Sequence, residues 1–391
     1  MIKRLPFQLP PAVHTASLAV LMAAAWISTG AVSPPLPQSL ADRAYGRSWQ
    51  DPPESAVELF RRALAVDSAF PYRWSDLAGA LAAADQQGAA EYCFRRAVEL
   101  APASPQIAMR AANFYFQQGE TGAALEQSAV VLRLTPDYNP MVFNALVRLG
   151  GATSSILDHA VGLTPGAEQP FFRFLIESGD ASRLFDTWAW MEAHSKVTRP
   201  LALLWSTWLA DHGRGEMAFT VWKQYATVDS EYGTRNWIDN PGFEVEPQDL
   251  GFDWRISTQP GERAVRDPNS GHSGRSSLRV TFDGSANLDI QAAAQRVWLA
   301  AGAYKLSAWV RTENLTSDQG IAVRIHGAST PGANTEALTG NHDWTEVSTE
   351  FKVAGAPALA EVEVIRQHSW RFDGKLKGTA WLDDFAIRRI Q

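Results

Sequence analysis

The stretch Trp74-Ser75-Asp76-Leu77-Ala78-Gly79-Ala80-Leu81, continued by Ala90, Phe94, Ala97 and Pro102, is answered 34 residues later by Ala108, Ala111, Ala112, Tyr115, Ala124, Ser128, Val131 and Pro136. A fixed period of this length marks stacked helix–turn–helix units, which build extended binding surfaces rather than catalytic pockets. The residue types explain the period. Small Ala78 and Ala90 let the two helices of one unit approach closely, and Phe94 is large enough to fill the gap to the next. Pro102 and Pro136 end the second helix and start the turn. Upstream, Ala56, Phe60 and Ala63 fit a further second helix whose partner falls around Leu40–Trp49. Downstream the period slips. Val142–Leu149 with Ile156–Val161, Phe171–Ser178 with Ser182–His194, and Leu201–His212 with Glu216–Thr227 read as degenerate hairpins, which makes about five in all.

These positions resemble the tetratricopeptide repeat. The resemblance implies an α-solenoid over 38–232 whose concave face holds a peptide or protein partner. Arg61, Arg62, Arg95 and Arg96 recur at the same spacing, either as a basic ridge or as a solvated helix face. The aromatic stripe Trp188, Trp190, Trp205, Trp208 and Trp222 reads as core.

With 391 residues the chain has room for two or three domains. A net charge of -7 excludes a general nucleic-acid binder, which needs a basic face for phosphate. The single Cys93 excludes an internal disulfide and a multi-cysteine metal site, and its apolar helical setting points to a buried, inert thiol. At the amino terminus Lys3 and Arg4 precede an apolar heart at Leu18–Ile27. Residues 1–37 therefore read as a cleaved signal peptide or a transmembrane anchor followed by a Pro-rich linker. An anchor places the body in the cell envelope, outside the cytoplasm, and a cleaved leader makes the protein secreted.

Near Arg235 the character changes. Ser277–Phe282, Tyr304–Arg311, Ile321–His326, Thr345–Val353 and Ala360–Arg366 alternate or are β-branched, and Gly, Asn, Asp and Pro separate them. The expected class is thus multidomain α + β, with a β-sandwich over 236–391. Along Tyr304–Arg311 the residues Leu306, Ala308 and Val310 face a core, while Lys305, Ser307, Trp309 and Arg311 face away. On the next run Ile321, Val323 and Ile325 face the core, leaving Arg324 and His326 outside. An aromatic ring among guanidinium and imidazole donors suits a sugar, and two guanidiniums suit an acidic one. Trp309, Arg311, Arg324 and His326 are the expected carbohydrate-binding residues, with Trp370 in a loop as a further platform. Trp254 and Trp344 are expected in the core.

The motifs Asn240-Pro241-Gly242-Phe243-Glu244, Gly271–Leu278, Tyr304–Val310 and Trp381-Leu382-Asp383-Asp384-Phe385 follow, in order, those of jelly-roll carbohydrate-binding modules of the cellulose- and xylan-binding type. The resemblance implies a polysaccharide ligand. It also implies a structural calcium between first and last strands, held by Glu244, Asp383 and carbonyls of the Asp267–Ser276 turn; an oxygen shell suits that hard cation. Without metal, the same two carboxylates would bond turn amides.

No catalytic constellation emerges. Glu361 and Glu363 lie on one face of one strand, which reads as a solvated face rather than a hydrolase pair. The expectation is a non-catalytic exported adaptor that joins a protein partner on the repeats to a polysaccharide on the sandwich. The alternatives are a purely protein-binding assembly factor with a degenerate jelly roll, and a glycoside-hydrolase-associated protein.

Overall fold

The computed structural model describes residues 52–149, 151–372 and 374–390. The expected leader and the helix expected at Leu40–Trp49 lie outside them. No helix among the described residues is long and apolar enough to cross a membrane. The chain divides into two compact units, Met1–Phe174 and Leu175–Gln391.

The first unit is helical: α1 Pro53–Val66, α2 Pro71–Ala83, α3 Gln87–Leu100, α4 Pro105–Gln118, α5 Thr121–Leu134, α6 Asn139–Leu149, α7 Thr153–Ile156 continued by a π turn, and the start of α8 Glu168–Ser178. The 34-residue echo is a spacing of helices, since α2 and α4 begin at Pro71 and Pro105 and α3 and α5 at Gln87 and Thr121. Ala78 and Ala90 are fully buried at the α2–α3 contact. Phe94 reaches the next hairpin, where its ring lies 5.0 Å from that of Phe114. A polar tie repeats the same step: Arg110 donates to Asp76 at 2.8 Å. Arg62, Arg95 and Arg96 pair with Glu58, Glu91 and Glu99 on their own helices in solvent, as a solvated face rather than a ridge. Cys93 is buried, and burial raises its thiol pKa.

The second unit begins with helices α9 Ala181–Ala193, α10 Arg199–Asp211 and α11 Gly215–Val221, the last continued by a π turn to Ala226. Trp188, Trp205 and Trp222 form their core. Among the described residues ten strands follow, in two antiparallel sheets. The first is ordered β1-β4-β9-β6-β7: Arg255–Ile256, Ile290–Leu299, Ala358–Arg366, Ala322–Gly327 and Thr330–Asn334. The second is ordered β2-β3-β10-β5-β8: Glu262–Asp267, Ser277–Asp283, Lys377–Arg389, Gly302–Leu315 and Gly340–Val353. Leu306, Ala308, Val310, Val323, Ile325, Val362, Val364 and Leu382 fill the space between them. The alternation read from the sequence is what turns those side chains inward.

The change of character near Arg235 marks where helices stop, not where packing divides. Helices α10 and α11 belong with the sandwich. A Cβ on Gly215 would lie 2.5 Å from the Trp298 ring of β4, so only glycine lets α11 approach that sheet so closely. Arg296 of β4 pairs with Asp211 at the end of α10 at 2.7 Å. Asp239, 1% exposed, sits between the two layers. Its carboxylate accepts from Trp222 Nε1 (3.0 Å), Thr227 Oγ1 (2.5 Å) and Val228 N (3.3 Å), while its backbone exchanges two bonds with the Gln295 side chain of β4. In Asp239→Asn the new amide group would meet a donor in either orientation. We expect that variant to unfold earlier by about 1–3 kcal/mol, read as a lower midpoint in near-ultraviolet circular dichroism with loss of tryptophan signal.

Candidate functional site

The outer face of the first sheet carries a ladder of opposite charges. Cross-strand neighbours are Arg296 and Glu361, Glu361 and His326, and Glu363 and Arg324. Arg255, on the edge strand, pairs with Glu361. Arg324 Nε donates to Glu363 at 2.7 Å, and His326 Nε2 lies 3.1 Å from the same carboxylate. Gln291 also donates to Glu363. Glu363 is 4% exposed, so it is not on a solvated strand face as expected; the side chains of Arg324, Gln291 and His326 gather on it. Among the described residues His326, Glu361 and Glu363 bring three ligand atoms within 4.8 Å of one another. Guanidiniums already occupy both carboxylates, and the arrangement is an ion-pair ladder.

At one end of this face opens a pocket of about 660 Å³. Gln291, Arg324, Glu262, Asp289, His368 and Trp370 are among its walls. Trp370 is 94% exposed and Phe372 fully so, the most exposed aromatics among the described residues. Their loop is held from beneath. Asn287 donates to Ser369 O at 2.6 Å and accepts from Ser369 N at 3.0 Å, while Ser369 Oγ donates to Asp318 at 2.5 Å. Arg366, 1% exposed, uses its guanidinium on Asn287 Oδ1, Leu288 O, Ser317 Oγ, Gly374 O and Gln319 O. One side chain thereby joins the β3–β4, β5–β6 and β9–β10 loops, and its burial lowers its pKa. Glu262, 5% exposed, has its carboxyl pushed up to about 7 by burial; one oxygen accepts from Gln259 N at 3.3 Å and the other has no partner.

The five expected sugar contacts do not form one site. Trp309 and Arg311 lie on β5 in the second sheet, whereas Arg324 and His326 lie on β6 in the first, so the two pairs face outward on opposite sides of the sandwich. Alternation identifies an outward side chain but not the sheet that a strand joins. Arg324 and Trp370 do meet, at the end pocket. Trp309 is half-buried beneath the parallel His272 ring at 3.9 Å, beside a groove of about 900 Å³ that Ser307, Glu346, Asp384 and Arg388 also line. Arg311 sits 4.7 Å above the Trp381 ring. Trp254 is buried and stacked on Phe243 as expected, but Trp344 lies half-exposed on edge strand β8 with its ring against His272.

Glu244 and Asp383 converge on the same turn. Asp383 accepts from His272 N (2.6 Å), Ser273 N (3.1 Å) and Asp384 N (2.6 Å); Glu244 accepts from Arg275 N (2.7 Å) and Ser276 N (3.0 Å). Gly274, at φ 61°, brings the turn against Glu244 with no room for a side chain. The turn presents N–H groups to both carboxylates. Hydrogen bonds therefore tie the ends of the module in this arrangement. Burial, and secondarily the charge of Asp384, pushes Asp383 up to about 6.

No protein-family model matches the chain, and no curated protein matches it. Among solved structures it is similar to TmCBM61 in complex with β-1,4-galactotriose, at 21% identity and TM-score 0.30, over 40% of this chain and 100% of that one. It is also similar to the CBM22-1 xylan-binding domain of Paenibacillus barcinonensis Xyn10C, at 15% identity and TM-score 0.27, over 38% and 92%. A CBM4 structure aligns at 15% identity and TM-score 0.28, over 39% and 99%.

Sequence reasoning missed Arg255, Gln291 and Glu262 as members of the site. Arg255 and Gln291 stand in short or alanine-rich strands with little β signal, and nothing in the local pattern of Glu262 announces its burial. Three carboxyls, Asp239, Glu262 and Asp383, titrate above their usual range in the fold, at about 6, 7 and 6. A raised carboxyl pKa means that the folded chain holds more protons than the unfolded chain between roughly pH 4 and 7. Stability from these groups is therefore greatest at the acid end and is lost as pH rises through 6 to 7. We expect the melting temperature to rise as pH falls from about 7.5 to 5, and Glu262→Gln to flatten the upper part of that curve in differential scanning calorimetry.

Proposed function

We propose that this chain is a non-catalytic envelope adaptor whose sandwich binds a polysaccharide at the end pocket and the adjoining charge ladder. The observation that carries the reading is Trp370: a 94% exposed indole, held on a loop closed by Asn287, Arg366 and Ser369, beside a pocket with amide, imidazole and guanidinium groups in its walls. A pyranose offers an apolar face for such a ring and hydroxyls for such donors. A platform held this way loses little entropy when ligand binds.

The polymer chain would run from Trp370 across Gln291 and Arg324 toward His326. Each guanidinium on this face has a carboxylate partner: Arg255 with Glu361, Arg324 with Glu363, and Arg296 with Asp211. That pairing disfavours an acidic polymer, contrary to what isolated guanidiniums suggest. It also speaks against hydrolysis, because Glu361 and Glu363 are already committed to cations. The platform moves from Trp309, whose ring is occupied by His272, to Trp370.

The helical repeats are the proposed seat of a peptide or protein partner. In the first unit a groove of about 580 Å³ is lined by Phe60, Asp76, Arg110, Asn113, Phe114 and Gln117, among others. The leader expected over 1–37 would deliver both surfaces to the envelope.

The test is affinity electrophoresis of the full chain through a panel of polysaccharides. We expect retardation by at least one polymer, weakened by about tenfold or more in Trp370→Ala and little changed in Trp309→Ala. Binding lost in Trp309→Ala alone would move the site to the other sheet. A folded chain that binds no polymer would favour the protein-assembly alternative. Calcium between Glu244 and Asp383 has its own readout. We expect calcium and chelator to leave the melting temperature within about 1 °C; a calcium-dependent rise that Asp383→Asn abolishes would place an ion there.

A further inference from the structure

Most charged groups around the end pocket have an opposite charge nearby. Arg324 is paired with Glu363, 2.7 Å from its Nε. Arg366 and Arg371 face Asp289 and Asp318, with Arg371 3.2 Å from Asp318 and Arg366 under the influence of both acids. Arg366 has no donor left for a ligand, because five acceptors surround its guanidinium. Arg263 follows Glu262 on β2 and points to the opposite face of that strand. Glu262 remains. It lines the pocket, one of its oxygens has no hydrogen-bond partner, and no counter-charge offsets its burial. Trp370, 94% exposed, lines the same pocket. An uncompensated carboxylate beside an exposed indole selects for a cation, because the ring quadrupole and the anion act on it with the same sign.

We infer that the ligand supplies the missing counter-charge: the end pocket takes a sugar unit bearing an ammonium group, an amino-sugar residue of the polymer, with its cation toward Glu262 and its ring on Trp370. This rests on the polysaccharide reading above and narrows it. Burial raises the Glu262 pKa to about 7, and a bound cation would draw the carboxyl back toward its charged form.

The experiment is calorimetric titration of the full chain with three oligosaccharides of equal length: a glucosamine oligomer, its N-acetylated counterpart and a glucose oligomer. It is run just below neutral pH, where the amine carries its charge. The expected result is a preference of about tenfold or more for the glucosamine oligomer over the other two. Glu262→Gln removes the preference, and Trp370→Ala weakens binding of all three. The melting temperature of Glu262→Gln, expected to match or exceed that of the parent above neutrality, shows that the variant is folded. Equal binding of the free-amine and acetylated oligomers, or a preference that survives Glu262→Gln, overturns the inference. Binding of the uncharged oligomers alone overturns it and leaves the polysaccharide reading standing. No binding of any oligomer, or of any polymer in the panel above, removes both.

Discussion

The second unit depends on one buried carboxylate. Asp239 takes hydrogen bonds from Trp222, Thr227 and Val228 at the end of the last helix, while its own backbone is clasped by Gln295 from the middle of a strand. Helix and sheet are thus tied through a residue with almost no contact with water. Desolvation raises its pKa to about 6, which reflects the cost of burying that group; the surrounding donors offset part of it. The apolar contacts around it, Trp298 against Gly215 and Phe252 against Trp222, supply the area. Asp239 fixes how the two layers meet, because its acceptors admit few alternative alignments.

The ladder on the first sheet shows a second use of pairing. Alternation along antiparallel strands places every second side chain outward, and the register sets Glu361 between Arg296 and His326 and Glu363 beside Arg324. A face built this way is polar without a strong field. It offers many hydrogen-bonding groups in fixed positions, and their charges largely cancel. Selectivity then falls to the few groups left uncancelled at its margin.

Much of this was legible in the sequence. The helical repeats announced themselves because close helix packing needs small and large residues at fixed positions, so Ala78, Ala90 and Phe94 carried the period. Strands β3, β5, β6, β8 and β9 showed through alternation and β-branching, whereas β4 hid behind Ala292, Ala293 and Ala294, residues with weak strand preference. The outward orientation of Trp309 and Arg324 was readable, but their assignment to opposite sheets was not, since that depends on long-range pairing with β10 and β9. Glu244 and Asp383 were found as partners of one turn. Glu363 was misread because its burial comes from neighbours on other strands, and Glu262 passed unnoticed for the same reason.

Arg366 and Asn287 close their loop entirely from below, through backbone carbonyls, amides and buried hydroxyls. The side chains of Trp370 and Phe372 at the tip take no part in that closure. Scaffold and tip are therefore separable in evolutionary terms. Substitutions at the tip can accumulate at little cost to the fold, and on the proposed function a change of recognised polymer is reachable through one or two codons there. The loop is built as an interchangeable cassette: on the proposed function, variation in recognition falls on residues of which the fold makes no demand.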